Sequence, residues 1–563
     1  MTNYSVSPKK PGGIDDMSGF WRLTRLAASV ALFAWLAACS VEPTYKVPDA
    51  GVPNAYKEAP LQTQGQTQGQ AQGQAQGQPA GPHDVGSWTP AQPADDAHRG
   101  EWWKAFGDPT LDQLEDQALA ANQDLKAAAA RVQQSRALTQ AARASWFPSI
   151  DAGFGPTYER ASPASQYLPQ NANVPAQTLW RAQATASYEA DLFGRVSSNV
   201  HATQADAQQS EALFLSVQLA LQADVAQNYF QLRQFDSDVD LYRRTVALRE
   251  DALKLVERRF KEGDISELDV SQARNELASA RADAVGVARQ RAASEHSLAI
   301  LLGKAPADFT FPETPLAPVA MQVPPGLPST LLERRPDIAA AERAMAAANA
   351  RVGLAKSAFF PKLDITGAFG FESASLGNLF MWSSRAFLLG PFAGTALTLP
   401  LFDGGRRKAN LAQARAKYDE DVAQYRQQVL VAFREVEDNL ADLRLLNDQI
   451  SAQDDAVSAS QRAAHLSRTQ YEEGEVSYLN VIDSERSVLV SQLQASHLEG
   501  SQAVATVNLI RALGGGWGDA KPDMQLGVQP AEHPAEHPAV QPAVQPDNAP
   551  AASAAPAAPL ASR

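Results

Sequence analysis

At 563 residues and a net charge of -14, the chain is long enough for several domains but has no concentrated basic face to neutralise phosphates, which excludes a nucleic-acid binder. A single cysteine excludes both an internal disulfide framework and a thiolate metal cluster. The eight histidines are scattered, and no HExxH, GxSxG or phosphate-binding glycine loop occurs, so no enzyme is expected.

At the N-terminus, Arg22 and Arg25 precede an apolar run from Leu26 to Ala38 that is too short to cross a bilayer and ends in small residues before Cys39 and Ser40. This pattern marks residues 1–38 as an export signal. Leu36-Ala37-Ala38-Cys39 resembles a bacterial lipobox, which implies that Cys39 is lipidated and becomes the first mature residue. No other cofactor is expected. Asp15 and Asp16 are out of place at the start of such a signal and point to Met17 as the translation start. Residues 39–101 contain a Gln/Gly-rich stretch, Leu61 to Gly81, and residues 518–563 are mostly Ala, Pro and Gln. Both lack the apolar side chains that offset chain entropy and are expected to be flexible. His533 and His537 belong to that solvated tail.

Between these ends the chain repeats itself, over residues 102–320 and again over 321–517. Asp124-Leu125 and Trp146-Phe147-Pro148 return as Asp337-Ile338 and Phe359-Phe360-Pro361 at an offset of 213. Gly263, Ser266, Leu268 and Val270 return as Gly474, Ser477, Leu479 and Val481 at an offset of 211. In each copy 68 residues without Gly or Pro precede the first of these glycines, and 39 residues separate it from Gly303 or Gly514. Segments this long, rich in Ala, Leu, Gln, Glu and Arg, are predicted helices, the longer arm reaching roughly 100 Å. Val225, Asn228, Leu232, Phe235, Val239, Tyr242, Val246, Leu253, Val256 and Phe260 alternate by three and four, as a left-handed coiled-coil seam requires. The second copy repeats the seam through Val436, Asn439, Leu443, Leu446, Ile450, Val457 and Tyr471. Asn228 and Asn439 either fix register or are simply solvated. Gly263 and Gly474 reverse each arm, and Gly514-Gly515-Gly516 caps the last helix.

Four segments instead alternate with period two: Ile150 to Tyr158, Ala184 to Leu192, Leu363 to Phe371 and Leu397 to Leu401. Their spacing fits strands of about ten residues, the length of a tilted transmembrane strand. Four strands cannot close a barrel, and an open edge in lipid leaves backbone groups unsatisfied. Three copies would supply twelve strands and twelve helices.

These features in order, together with Trp102-Trp103, Phe106, Asp108 and Leu111, Leu192-Phe193-Gly194-Arg195 and Leu401-Phe402-Asp403-Gly404-Gly405-Arg406, resemble the TolC-like outer membrane factors, in particular the NodT-type lipoproteins. The resemblance covers about Trp102 to Trp517 and implies a mainly α trimer with a twelve-stranded barrel in the outer membrane and a twelve-helix barrel in the periplasm. It further implies an efflux duct for drugs or other small toxic compounds, docked on a periplasmic adaptor and an inner-membrane RND-type pump. Leu479 and Asp483 match the family's periplasmic gate, with Arg486 as a partial counter-charge; on the residues alone, Asp483 and Arg486 also read as an ordinary exposed pair. Adaptor docking falls on the tips, at Gly263, Ser266, Leu268, Gly474, Ser477 and Tyr478. In the first copy Leu268 and Gln272 stand where the second has Leu479 and Asp483, which puts the expected gate on the second hairpin. Rival readings are a lipid-anchored periplasmic coiled-coil scaffold without a pore and a type I protein-secretion duct.

Overall fold

The computed structural model describes residues 41–49, 51–53, 55–58, 100–319, 331–390 and 397–515. The export signal, Met17, Cys39, the Gln/Gly-rich stretch and the Ala/Pro tail lie outside the described residues. Each copy runs helices, strands, then a long hairpin. The first has α1 (Pro109–Ala121), α2 (Gln123–Ala144), β1 (Ser149–Glu159), β2 (Gln177–Ala190), α3 (Arg195–Glu262) and α4 (Glu267–Leu301). The second has a helical turn (Leu331–Arg334), α5 (Pro336–Ser357), β3 (Lys362–Ser373), β4 (Arg385–Gly390), β5 (Leu397–Thr398), α6 (Arg406–Glu472) and α7 (Tyr478–Ala512).

The predicted arms are present at 68 and 67 residues. In α6 the seam positions Leu443, Leu446, Ile450 and Val457 are half-buried and Tyr471 is buried, while most residues between them are exposed. In α3 the seam holds through Val256, but Phe260 at its end is exposed. Asn228 and Asn439 do not bond across the seam: each donates its amide to the carbonyl four residues back, of Asp224 (2.8 Å) and Glu435 (2.6 Å). That back-bonding satisfies the side chain within its own helix.

Most of the core lies at the equator, where the short helices flank the arms. Trp102, Trp103, Leu111 and Leu114 pack on Val225, Phe230 and Leu232 of α3 in the first copy. Ile338 and Met345 pack on Tyr425, Val429 and Val436 of α6 in the second. Both hairpins end on a left-handed glycine pressed against earlier backbone. A Cβ on Gly303 would lie 2.6 Å from the Ala121 carbonyl oxygen, and one on Gly514 would lie 3.0 Å from that of Arg334. Ala121 and Arg334 are themselves separated by the repeat offset of 213, so the duplication extends to this contact.

The strands form one antiparallel sheet in the order β1-β2-β3-β4, with β5 also on β3. The fourth strand begins at Arg385, earlier than the Leu397 to Leu401 segment expected to form it, and only Leu397–Thr398 of that segment pairs. Arg385 to Gly390 escaped notice because Phe387-Leu388-Leu389 is a run of apolar residues and hides the period of two. The N-terminal segment lies along α5 and α6. Val41 and Pro43 carbonyls accept from Lys356 (3.5 Å) and Asn349 (2.8 Å), and the Glu437 carboxylate accepts the backbone N–H groups of Lys57 (2.7 Å) and Glu58 (3.0 Å).

Candidate pore wall and periplasmic gate

The register sorts the sheet into two faces. Phe154 pairs with Ala182, Ala182 with Phe371, and Phe371 with Arg385; one step inward Ala152, Ala184, Phe369 and Phe387 follow. Since side chains alternate along a strand, this face also carries Ile150, Tyr158, Trp180, Ile365 and Leu397. It is apolar nearly throughout, and its large side chains are uncovered: Phe154 is 64% exposed and Phe387 76%. Each would gain roughly 1.5–3 kcal/mol from leaving water. The opposite face carries Asp151, Gln183, Thr185, Asp364 and Thr366, with Arg181 bridging Glu159 (2.8 Å) and Glu372 (2.7 Å). A sheet apolar on one side and polar on the other, whose first three strands run 11 to 14 residues, is built to stand between hydrocarbon and water.

The helix-to-strand and strand-to-helix turns fix this sheet to the arms. The Phe-Pro junctions separate α2 from β1 and α5 from β3, and Phe193 stacks on Phe360 at 4.8 Å. On the return, Asp191 accepts from the backbone of Val196 (3.1 Å) and Ser197 (2.8 Å) at the start of α3, and Asp403 accepts from Gly405 (3.0 Å) and Arg407 (3.1 Å) at the start of α6. Carboxylates at both helix starts satisfy free N–H groups and complement the dipole. Asp191 was not singled out from the sequence, and Asp403 entered only as part of the Leu401 to Arg406 motif, without this role.

At the far end, Gly263 and Gly474 take the left-handed conformation (φ 86° and 82°) and turn the arms as expected. A small core of Val256, Val270, Ala273, Tyr471, Tyr478, Val481 and Ile482 joins the two tips to each other. Tyr478 is 6% exposed, its ring 5.4 Å from that of Tyr471, and burial pushes its hydroxyl up to about 12. It therefore belongs to the tip core and not to a docking surface. Gly263, Ser266, Leu268, Gly474 and Ser477 are exposed. Ser266 and Asp269 form a capping box at the start of α4.

Leu479 and Asp483 lie one turn apart on α7 and are both exposed, Asp483 with 63% of its side chain free. Arg486 is not mainly a counter-charge to Asp483, which sits 3.8 Å away. Its guanidinium is paired with Glu276 of the other hairpin, whose carbonyl and carboxylate also hold Arg249 at 2.7 and 3.3 Å. Arg249 and Glu276 are buried, so this is a tie between the hairpins. Its sequence signal was a carboxylate interrupting the apolar stripe Val270, Ala273, Leu277 and Ala280.

Two long hairpins, joined at the tip and carrying an amphipathic sheet at the other end, match a known family model, outer membrane efflux protein, over residues 114–304 and 327–515. The chain belongs to the outer membrane efflux protein family. It is 34% identical over 503 residues to the toluene efflux pump outer membrane protein TtgC of Pseudomonas putida, covering 88% of this chain and 96% of that protein. To the outer membrane protein OprJ of Pseudomonas aeruginosa it is 33% identical over 491 residues, covering 86% and 95%. The solved outer-membrane channel OprN superposes with a TM-score of 0.73 at 27% identity, covering 85% of this chain and all of that one. As a member of this family the chain is an outer-membrane efflux channel component reaching into the periplasm, which removes the scaffold reading. Among the described residues, no helix is long and apolar enough to cross a membrane.

Proposed function

We propose that three copies of this chain close into one duct, twelve strands in the outer membrane and twelve long helices below, through which small toxic organic compounds leave the cell. The observation that carries this reading is the two-faced sheet with unpaired edges at β1 and β4: lipid tolerates such edges only when neighbouring copies pair them, at several kcal/mol per group otherwise. Exposed Leu430, Leu445 and Leu466 along α6 support packing against a neighbouring arm. Solvents and antibiotics are the cargo class suggested by relatives such as a toluene efflux protein. A periplasmic adaptor docks end-on at Gly263, Ser266, Leu268, Gly474 and Ser477 and links the duct to an inner-membrane RND-type pump.

Cys39 carries the lipid anchor. This is supported by the path of the N-terminal segment, whose Val41 carbonyl accepts from Lys356 just before β3. Leu479 and Asp483 form the periplasmic gate: three symmetric carboxylates around one axis repel each other, attract cations and make closure depend on the Glu276–Arg486 tie holding the tips together. In planar bilayers the Leu479→Ala/Asp483→Ala channel is expected to show several-fold higher resting conductance than the parent. Unchanged resting conductance would remove these residues from the gate.

A further inference from the structure

The apolar face of the sheet carries one cation, Arg385, where an apolar side chain would be expected, and a second, Arg160, stands just beyond its outer end. Helices join β1 at Ser149, so its other end, Glu159, points away from the periplasm, and β4 begins at that same outer end with Arg385. Arg385 pairs with Phe371 in register and thus shares its face with Phe387. Arg160 follows directly on β1 at its outer end, two residues on from Tyr158 of that face. Arg160 and Arg385 are both exposed, and among the described residues no carboxylate pairs with either. Arg385 is nonetheless held: its Nε donates to the Trp382 carbonyl at 2.8 Å and its guanidinium stacks over the Trp382 ring.

Nor does barrel closure provide a counter-charge. A neighbour's β1 edge would bring Ile150, Ala152, Phe154, Pro156 and Tyr158 to this face, none of them acidic. An unpaired guanidinium beside hydrocarbon is costly unless it reaches an anion at the interface. Its planar fork fits a phosphate bidentately, and aromatic neighbours such as Trp382 and Tyr158 belong at headgroup depth. We propose that Arg160 and Arg385 bind phosphate groups of lipid headgroups in the outer leaflet, fixing the barrel's depth and a ring of annular lipid. The inference rests on assigning the apolar face to lipid.

The test uses the full chain in neutral detergent, followed by thermal unfolding and native mass spectrometry as diphosphorylated lipid A is titrated in. Parallel titrations use the same lipid with its phosphates removed, and inorganic phosphate alone. The phosphorylated lipid should stabilise the protein and bind, the other two should not. R385Q should weaken binding about fivefold and R160Q/R385Q about twenty-five-fold, with R385K recovering only part of the loss because it keeps the charge without the fork. Equal binding of the phosphate-free lipid, or the same stabilisation by inorganic phosphate, would overturn the proposal on the unsubstituted protein, whether or not the variants fold. A double variant that assembles normally and binds like the parent would do so as well.

Discussion

Glu115 shows how much a single buried group contributes here. It sits on α1 with no exposed surface, and neither carboxyl oxygen has a hydrogen-bond partner among the described residues. Burial, reinforced by Asp116 and Asp112, pushes its pKa from 4.5 up to about 9, so the folded protein keeps it protonated at neutral pH. The sign follows from linkage: between pH 4.5 and 9 the folded state binds a proton that the unfolded state has lost, so stability is full below 4.5 and falls as pH rises towards 9. Glu115→Gln removes that dependence. Its melting temperature should match the parent near pH 4.5 and exceed it increasingly above, by up to ~1.4 kcal/mol per pH unit within the window. Parallel melting curves at every pH would contradict a buried neutral carboxyl. At this scale the sequence was least informative. Tyr478, just past a tip glycine, looked like surface until its packing on Tyr471 was seen, and Arg486 looked like a partner for the neighbour on its own helix when its partner comes from the other hairpin.

Helices and strands were far more legible, because period and breakers are local properties of the chain. The arms, the glycine turns and three of the four strand positions follow from seams and alternation, whereas contacts between the duplicated hairpins depend on residues some two hundred positions apart. Within each hairpin the two copies also differ by a charge exchange. In the first hairpin Glu257 of the long arm accepts from Arg274 of the short arm at 2.8 Å; at the offset of 211 the second hairpin pairs Arg468 with Glu485, the same link with its charges reversed. Mispairing the long arm of one hairpin with the short arm of the other would set like charges against each other, so the exchange favours each hairpin's own partner. Glu257→Arg should cost about 1 kcal/mol, since the pair is half-exposed, and Glu257→Arg/Arg274→Glu should recover it in chemical unfolding. A double variant no more stable than the single one would argue that the pair is incidental.

For the molecule as a whole, the account stands on the assignment of the sheet's two faces. The alternation that suggested strands also predicted one apolar side, but only the pairing register aligned those sides across β1, β2, β3 and β4 and set all of the sheet's carboxylates on the other. On the proposed reading this makes the sheet a wall with lipid behind it and cargo in front, continuous with the helices that carry the proposed gate. Because Cys39 is the only cysteine and its sulfur is expected to be lipidated, substituted cysteines can be read without background. The most direct measurement is therefore labelling of the central strand β2 in intact membranes with a water-soluble, membrane-impermeant maleimide. Gln183→Cys and Thr185→Cys should react readily and be protected by a pore-blocking cation, while Ala184→Cys and Ala186→Cys should stay unlabelled. Equal labelling at all four positions, or the reverse pattern, would contradict a sheet that separates lipid from an aqueous lumen.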